Sequence, residues 1–195
     1  MPVHVITPPD AEPVALHEAK MHLRVDHYDE DDYIESLIKA AREYAEVTVT
    51  HRAFVTQTLE LTLDRFPAVI TVPRPPLQSV SSLVYKDSDG TEHTLTEDED
   101  YLVNTKTEPG TVRLAVGKSW PTDLYATGAV TMQYVAGYGA AAAVPQEVKQ
   151  WILIMVGHWY ENRQAILPAG HNITRTPYAI DVLLQGLRVF GWGDA

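Results

Sequence analysis

The sequence predicts an α+β protein: a small α-helical bundle drawn from both chain ends, with an antiparallel β-sandwich or barrel-like unit inserted between them. Three observations carry this prediction. Before about residue 50 and after about residue 145, apolar residues recur at helical spacing. From Phe54 onward the period changes to two, in FVTQTLELTL, where Thr and Val favour extended backbone. Further strand-like runs then follow at short intervals with turn signals between them. Residues 1–50 and 145–195 are expected to form one helical core, because neither half buries its apolar stripe alone, and residues 51–144 an insertion with its own small core.

The first helix is expected within residues 14–25, VALHEAKMHLRV, which brings Val14, Leu16, Ala19 and Leu23 near one face after Pro13. The second spans about Asp31 to Val47, with Ile34, Leu37, Ile38, Ala41, Tyr44 and Ala45 on one stripe. Asp29, Glu30, Asp31 and Asp32 cluster at its positive N-terminal end, where carboxylates complement the helix dipole. A calcium loop is excluded there, since no glycine sits at the loop centre and no glutamate closes it at the required offset. Strands are expected at Val69–Val72, Ser79–Tyr85, His93–Leu95, Tyr101–Val103, Thr111–Leu114 and Ala129–Val135, with Asp89-Gly90 as the clearest hairpin signal.

The longest and most apolar helical pattern is PQEVKQWILIMVGHWYENR, Pro145 to Arg163. Val148, Trp151, Ile152, Met155 and Trp159 form one face and Leu153, Val156 and Tyr160 a second, so this helix is expected to run through the core. Its apolar run is far short of the roughly 18 residues of a membrane span. Pro145 suits the first helical turn and Glu147 the dipole. A loop, QAILPAGHNITRTP, precedes a short last helix from Tyr178 to Leu187 and an apolar, glycine-broken tail, RVFGWGDA.

Composition narrows the function. The net charge is −11, from 15 basic and 26 acidic residues, which argues against gripping nucleic acid by phosphate neutralisation. The acidity sits at the front: residues 1–50 hold 11 acids against 4 bases, residues 51–144 hold 11 against 7, and residues 145–195 hold 4 against 4. There is no cysteine, so no disulfide framework or thiolate site. MPVHVITPPD shows no basic region followed by an apolar core, so cytoplasmic synthesis is expected.

No constellation for catalysis emerges. His158 has no histidine at i+4, and His17 and His22 lie five apart, on different helix faces. Packing or capping explains them more simply than a metal. Glu97-Asp98-Glu99-Asp100 would offer paired carboxylates to a hydrolase, yet it sits in a turn without apolar surroundings to raise a pKa. No GxSxG, P-loop or GxGxxG motif is present. Pro73-Arg74-Pro75-Pro76 reads as a polyproline link, and the Asn172-Ile173-Thr174 sequon matters only in a secreted protein.

Several stretches together resemble one family: LHEAKMHLRVD (16–26), DDYIESLIKAAREYAE (31–46), VPRPPLQSVSSLVYKDSDG (72–90), Trp120-Pro121, VAGYG (135–139) and VPQEVKQWILIMVGHWYENR (144–163). They resemble, in order and over nearly the whole chain, the head–tail connector or adaptor proteins of long-tailed bacteriophages and gene transfer agents. The resemblance implies a non-enzymatic virion protein without cofactors, made in the bacterial host cytoplasm and located at the neck. It also implies a homo-dodecameric ring between the portal protein and a stopper or tail-terminator protein, with double-stranded DNA passing transiently through and no membrane contact. A surface carbohydrate-binding module and a hydrolase using acidic residues are the alternatives; the first would need a secretion route and the second a site with convergent titratable groups.

Within that expectation, Asp29, Glu30, Asp31, Asp32 and Glu35 are candidates to line the channel. Tyr178, Arg188, Val189, Phe190 and Trp192 are candidates for the portal contact, since aromatic residues beside an arginine are the types that anchor interfaces. Leu37, Ile38, Trp151, Met155 and Trp159 are the expected structural core.

Overall fold

The structure is a computed structural model that describes residues 3–163 and 178–189, with backbone only at 178–181. Contacts divide the chain into two compact units, Met1–Asp10 with Thr56–Tyr138, and Ala11–Val55 with Gly139–Ala195. The helical unit holds α1 (Leu16–Leu23), α2 (Asp31–Tyr44), α3 (Gln146–Glu161) and α4 (Tyr178–Gln185). The sheet unit holds β1 (Val3–Thr7), β2 (Gln57–Leu63), β3 (Val69–Thr71), β4 (Leu77–Lys86), β5 (Glu92–Leu95), β6 (Tyr101–Asn104), β7 (Thr111–Leu114) and β8 (Val130–Ala136).

All strands pair antiparallel, in a five-stranded sheet of order β1-β2-β8-β4-β5 and a three-stranded sheet of order β3-β7-β6. The protein is therefore α+β with antiparallel sheets, as the periodicities predict. Among the described residues neither sheet closes into a barrel: β1 and β5 are at the edges of one and β3 and β6 at the edges of the other.

The sheet core follows from the alternation in sequence. In β2 and β8 every second side chain is buried, and the register sets Leu59 against Tyr134, Leu61 against Met132 and Leu63 against Val130. In β4 the apolar residues Leu77, Val80 and Leu83 are spaced by three, which a regular strand would send to alternating faces. Register shifts at Leu77/Ser79 and Val80/Ser82 each absorb one residue, so all three reach the buried face opposite Ala136, Tyr134 and Met132.

In the helical unit, α2 buries Ile34, Ile38 and Ala41, and α3 buries Val148, Trp151, Ile152, Met155 and Val156. Trp151 is 1% exposed and its ring stacks on Tyr44, centroids 6.2 Å apart at 9°. Leu37 and Trp159, expected in the core, are half-buried; Trp159 meets Tyr44 edge-on at 6.4 Å. One turn further along α3 the helix surface opens, so this tryptophan seals the core's edge.

Three features differ from the sequence expectation. Val3–Thr7 is a strand paired with β2, so the first ten residues join the sheet unit while a helical unit over 1–50 was expected. Phe54, where alternation begins in sequence, lies buried in the helical unit, its N–H bonded to the Glu46 carboxylate at 2.6 Å. The third is a π-helix, Ala45–Thr50, that prolongs α2 and ends at His51 in the left-handed region, with Thr50 Oγ1 donating to the Ala45 carbonyl at 2.8 Å.

Candidate functional site

The acidic front divides into carboxylates tethered to α1 or α3 and carboxylates exposed to solvent, of which Asp29 lies 4.0 Å from His27 Nδ1. Glu30 precedes α2, and its carboxylate accepts the Tyr160 hydroxyl and the Arg163 Nη2 at 2.5 Å, both at the far end of α3. The Arg163 guanidinium also lies 4.6 Å from the Tyr33 ring and 4.9 Å from the Tyr160 ring. The Tyr160 hydrogen bond, then Arg163, hold the Glu30 carboxyl below its usual range. Asp31 accepts Lys20 Nζ at 2.6 Å, and the same ammonium reaches the His27 carbonyl at 2.6 Å and the Tyr28 ring at 4.5 Å. Asp29, Asp32 and Glu35 are exposed. Of the five residues expected at the channel, two therefore clamp α2 to α1 and α3, and three present charge to solvent.

The C-terminal candidates sit elsewhere in the helical unit. Tyr178 opens α4, Arg188 is exposed, and Val189 is buried with its N–H bonded to the Thr50 carbonyl at 2.9 Å. Arg52 Nε donates to the Leu187 carbonyl, a second tie between the end of the π-helix and the residues after α4. Phe190 and Trp192 lie outside the described residues, as does the loop 164–177. Beside the tie, Tyr44, Thr48 and Val49 face Val182, Gln185 and Arg188 across a groove. Tyr44 is 47% exposed and Val182 59%. Among the described residues, the acidic front thus lies at the start of α2, and Arg188 and Val189 lie by its far end and the π-helix.

A buried ion network is not distinguished by the sequence from a solvated one. Arg42 is 4% exposed; its Nε donates to Glu12 at 2.6 Å and its Nη1 to Glu46 at 2.8 Å. Burial alone would lower its pKa, but the Glu12 hydrogen bond and the Glu46 charge reverse this and raise it. Such a network fixes the path from Glu12 past α2 to Phe54. Its sequence signal is the i, i+4 Arg42–Glu46 pair, which looks like any solvated helix pair.

The chemical alternatives gain no geometry. Asp100, the last residue of the acidic turn, accepts the Thr96 N–H at 3.0 Å and Lys118 Nζ at 2.9 Å, and these hold its carboxyl below the usual range, the reverse of a general acid. Among the described residues, no group of three or more His, Asp or Glu side chains is arranged to hold a metal, and no helix is long and apolar enough to cross a membrane.

Known proteins supply the remaining evidence. No protein of curated function matches the sequence. The fold is similar to a chain from the virion of a native gene transfer agent particle, at 22% identity and TM-score 0.79, covering 99% of this chain and 98% of that one. It is similar at the same coverage to chains from the neck of an empty gene transfer agent particle computed with C6 symmetry (22% identity, TM-score 0.78) and of a native one with C12 symmetry (21%, 0.72). Residues 13–114, which run from the start of the helical unit through most of the sheet unit, match the family described as phage gp6-like head–tail connector protein. The chain belongs to this family of head–tail connectors, which are structural virion proteins and not enzymes.

Proposed function

We propose that the chain is one subunit of a dodecameric ring in the virion neck, seated between the portal and a stopper or tail-terminator protein, with a central channel through which double-stranded DNA passes. The observation that carries this reading is the full-length likeness to chains of neck assemblies solved with C6 and C12 symmetry, joined to family membership. The channel face is assigned to the acidic front, Asp29 to Glu35, where the exposed carboxylates repel a polyanion. Twelve copies of a chain of net charge −11 carry roughly 130 negative charges, which keeps the duplex from adhering.

The portal contact is assigned to the C-terminal segment, Tyr178 to Trp192. Exposed Val182 and Leu183 on α4 supply apolar surface, and the groove beside Tyr44 supplies relief for a partner to fill. Val189 serves this contact as its root, since it is buried and tied to Thr50. Electron microscopy of the protein with its portal tests the reading: a twelve-fold ring on the portal is the expected image, and the absence of any ring overturns it. Deleting residues 190–195 is expected to leave the melting temperature nearly unchanged and abolish attachment to portal-bearing heads. Normal attachment of that deletion refutes the C-terminal assignment.

A further inference from the structure

We propose that β1 is a docking edge for a second copy of this chain: it pairs with that copy's β5, so that the five-stranded sheet of one subunit continues into the next. This deepens the ring reading and rests on it.

The starting observation is that β1 has no buried face. His4, Val5, Ile6 and Thr7 are all exposed, with Val5 at 46% and Ile6 at 48%. His4 and Val5 are successive residues of the regular ladder and so lie on opposite faces, and in a half-buried strand one of these two would be covered. β1 is held by its register with β2, Val3 opposite Leu61, His4 opposite Glu60 and Val5 opposite Leu59, and its other side ends the sheet. An open, apolar edge is a ready template for another strand.

β5, the opposite edge, carries charge: Glu92 pairs with Lys86 at 3.3 Å and His93 with Asp87 at 2.7 Å, both within its own hairpin with β4. β1 carries no acid, lysine or arginine. It is instead bounded. The register shift between Val5 and Thr7 makes Ile6 a bulge, and Pro8-Pro9 follow, so a partner strand is confined to about Val3–Ile6. β5, at four residues, matches that length.

Charge and symmetry select β5 of a neighbour over a second β1. An acid-free edge beside Glu92 avoids setting like charges together in a chain of net charge −11. A β1–β1 pair is isologous and closes as a dimer, whereas β1–β5 is heterologous, the kind of contact from which a ring is built when its rotation closes. The five strands alternate in direction, so β1 and β5 run the same way, and a neighbour related by a small rotation brings its β1 parallel to β5. Parallel ladders are slightly weaker per residue, which leaves the exposed Val5 and Ile6 side chains to supply the rest by burial.

The chain's lack of cysteine makes the test clean. In assembled neck particles, Val5→Cys is combined in turn with Glu92→Cys, His93→Cys, Thr94→Cys or Leu95→Cys. Oxidation is expected to give a ladder of covalent multimers for at least one combination, with no product from Val5→Cys alone. Dimers from Val5→Cys alone overturn the choice of β5 in favour of a two-fold pair. If no combination gives a ladder while glutaraldehyde links the same wild-type particles into multimers, the β1 seam is wrong and the ring stands. If glutaraldehyde yields no multimers either, the ring reading falls and the seam with it. As a second variant, Ile6→Lys at this exposed position is expected to keep the wild-type circular dichroism and melting temperature and to cut ring attachment at least tenfold; attachment at the wild-type level overturns the proposal.

Discussion

Trp151 and Trp159 lie two helical turns apart on α3 and touch the same ring, Tyr44, yet the structure assigns them different weights. Trp151 is 1% exposed and stacked at 9°, whereas Trp159 is half-buried and edge-on. A fully buried tryptophan removes ~150–250 Å² from water, which at ~25 cal/mol/Å² corresponds to about 4–6 kcal/mol, in line with the roughly 3–5 kcal/mol seen for aromatic-to-alanine changes in cores. Trp151→Ala is expected to cost about 3–5 kcal/mol, and Trp159→Ala about half that because its cavity opens to solvent. For a chain of this length the first change lowers the melting temperature by roughly 6–20 °C.

A third variant separates volume from hydrogen bonding. Among the described residues the buried Trp151 Nε1 has no hydrogen-bond partner, so Trp151→Phe gives up area but also removes an unsatisfied donor, whose burial costs roughly 1–3 kcal/mol. The two effects oppose, and the net loss is expected to stay under about 1.5 kcal/mol. Urea unfolding followed by far-ultraviolet circular dichroism measures all three. Equal losses for Trp151→Ala and Trp159→Ala, or a Trp151→Phe loss as large as that of Trp151→Ala, would refute this reasoning.

Other positions give equally specific expectations. The Glu30 carboxyl is held below its ordinary value of 4.5 by Tyr160 and Arg163, so its contribution is present above that value and fades as pH falls through the lowered folded value; Glu30→Gln is expected to destabilise at neutral pH and to converge with wild type on acidification, read by denaturant midpoints across pH. At Gly110 a Cβ would stand 2.6 Å from Leu77 Cδ2 and 2.7 Å from Leu77 Cβ, the latter fixed to the β4 backbone. Gly110→Ala is therefore expected to cost about 1–3 kcal/mol through overpacking, measured by thermal unfolding. The buried Tyr134 hydroxyl donates to the Pro73 carbonyl at 3.0 Å, and Tyr134→Phe is expected to cost about 1–3 kcal/mol for the acceptor left unpaired, with hydrogen exchange checking that the sheet persists.

Much of this fold is visible in the sequence because one face of each element is buried. β2 and β8 alternate, α2 and α3 carry apolar stripes, and those periodicities are the fold's own. β1 is invisible for the converse reason: VHVIT buries nothing, so no alternation marks it, and only its pairing with β2, more than fifty residues away, defines it. The π-helix is likewise hidden, since AEVTVT is rich in β-branched residues and its geometry depends on the Thr50–Ala45 bond and the left-handed His51. The acidic front shows the same limit at the site. Its charges are plain in sequence, but Glu30 is matched by Arg163 from 133 residues away, and composition cannot pair them.

That pairing changes what the front does in the proposed ring. With Glu30 and Asp31 each facing a cation, the field toward the channel depends on Asp29, Asp32 and Glu35, the exposed three. Screening at physiological salt has a range of about 8 Å, so only side chains close to the duplex repel it. Changing all three to lysine alters each subunit by six charges, and twelve subunits by roughly 70. A wall so reversed is expected to retain double-stranded DNA at low salt and release it steeply as salt rises, since each phosphate contact adds to the salt dependence. Lysines near the start of α2 also oppose its dipole, at about 0.3–1 kcal/mol each. The control is therefore the neutral set Asp29→Asn, Asp32→Asn and Glu35→Gln, which relieves repulsion without adding attraction and is expected to leave DNA unbound. Filter binding by assembled rings and the rate of DNA ejection from particles read the two sets. If the lysine set retains no DNA and ejects at the wild-type rate while its rings still form, Asp29, Asp32 and Glu35 face away from the channel, and the repulsive lining must come from another acidic surface.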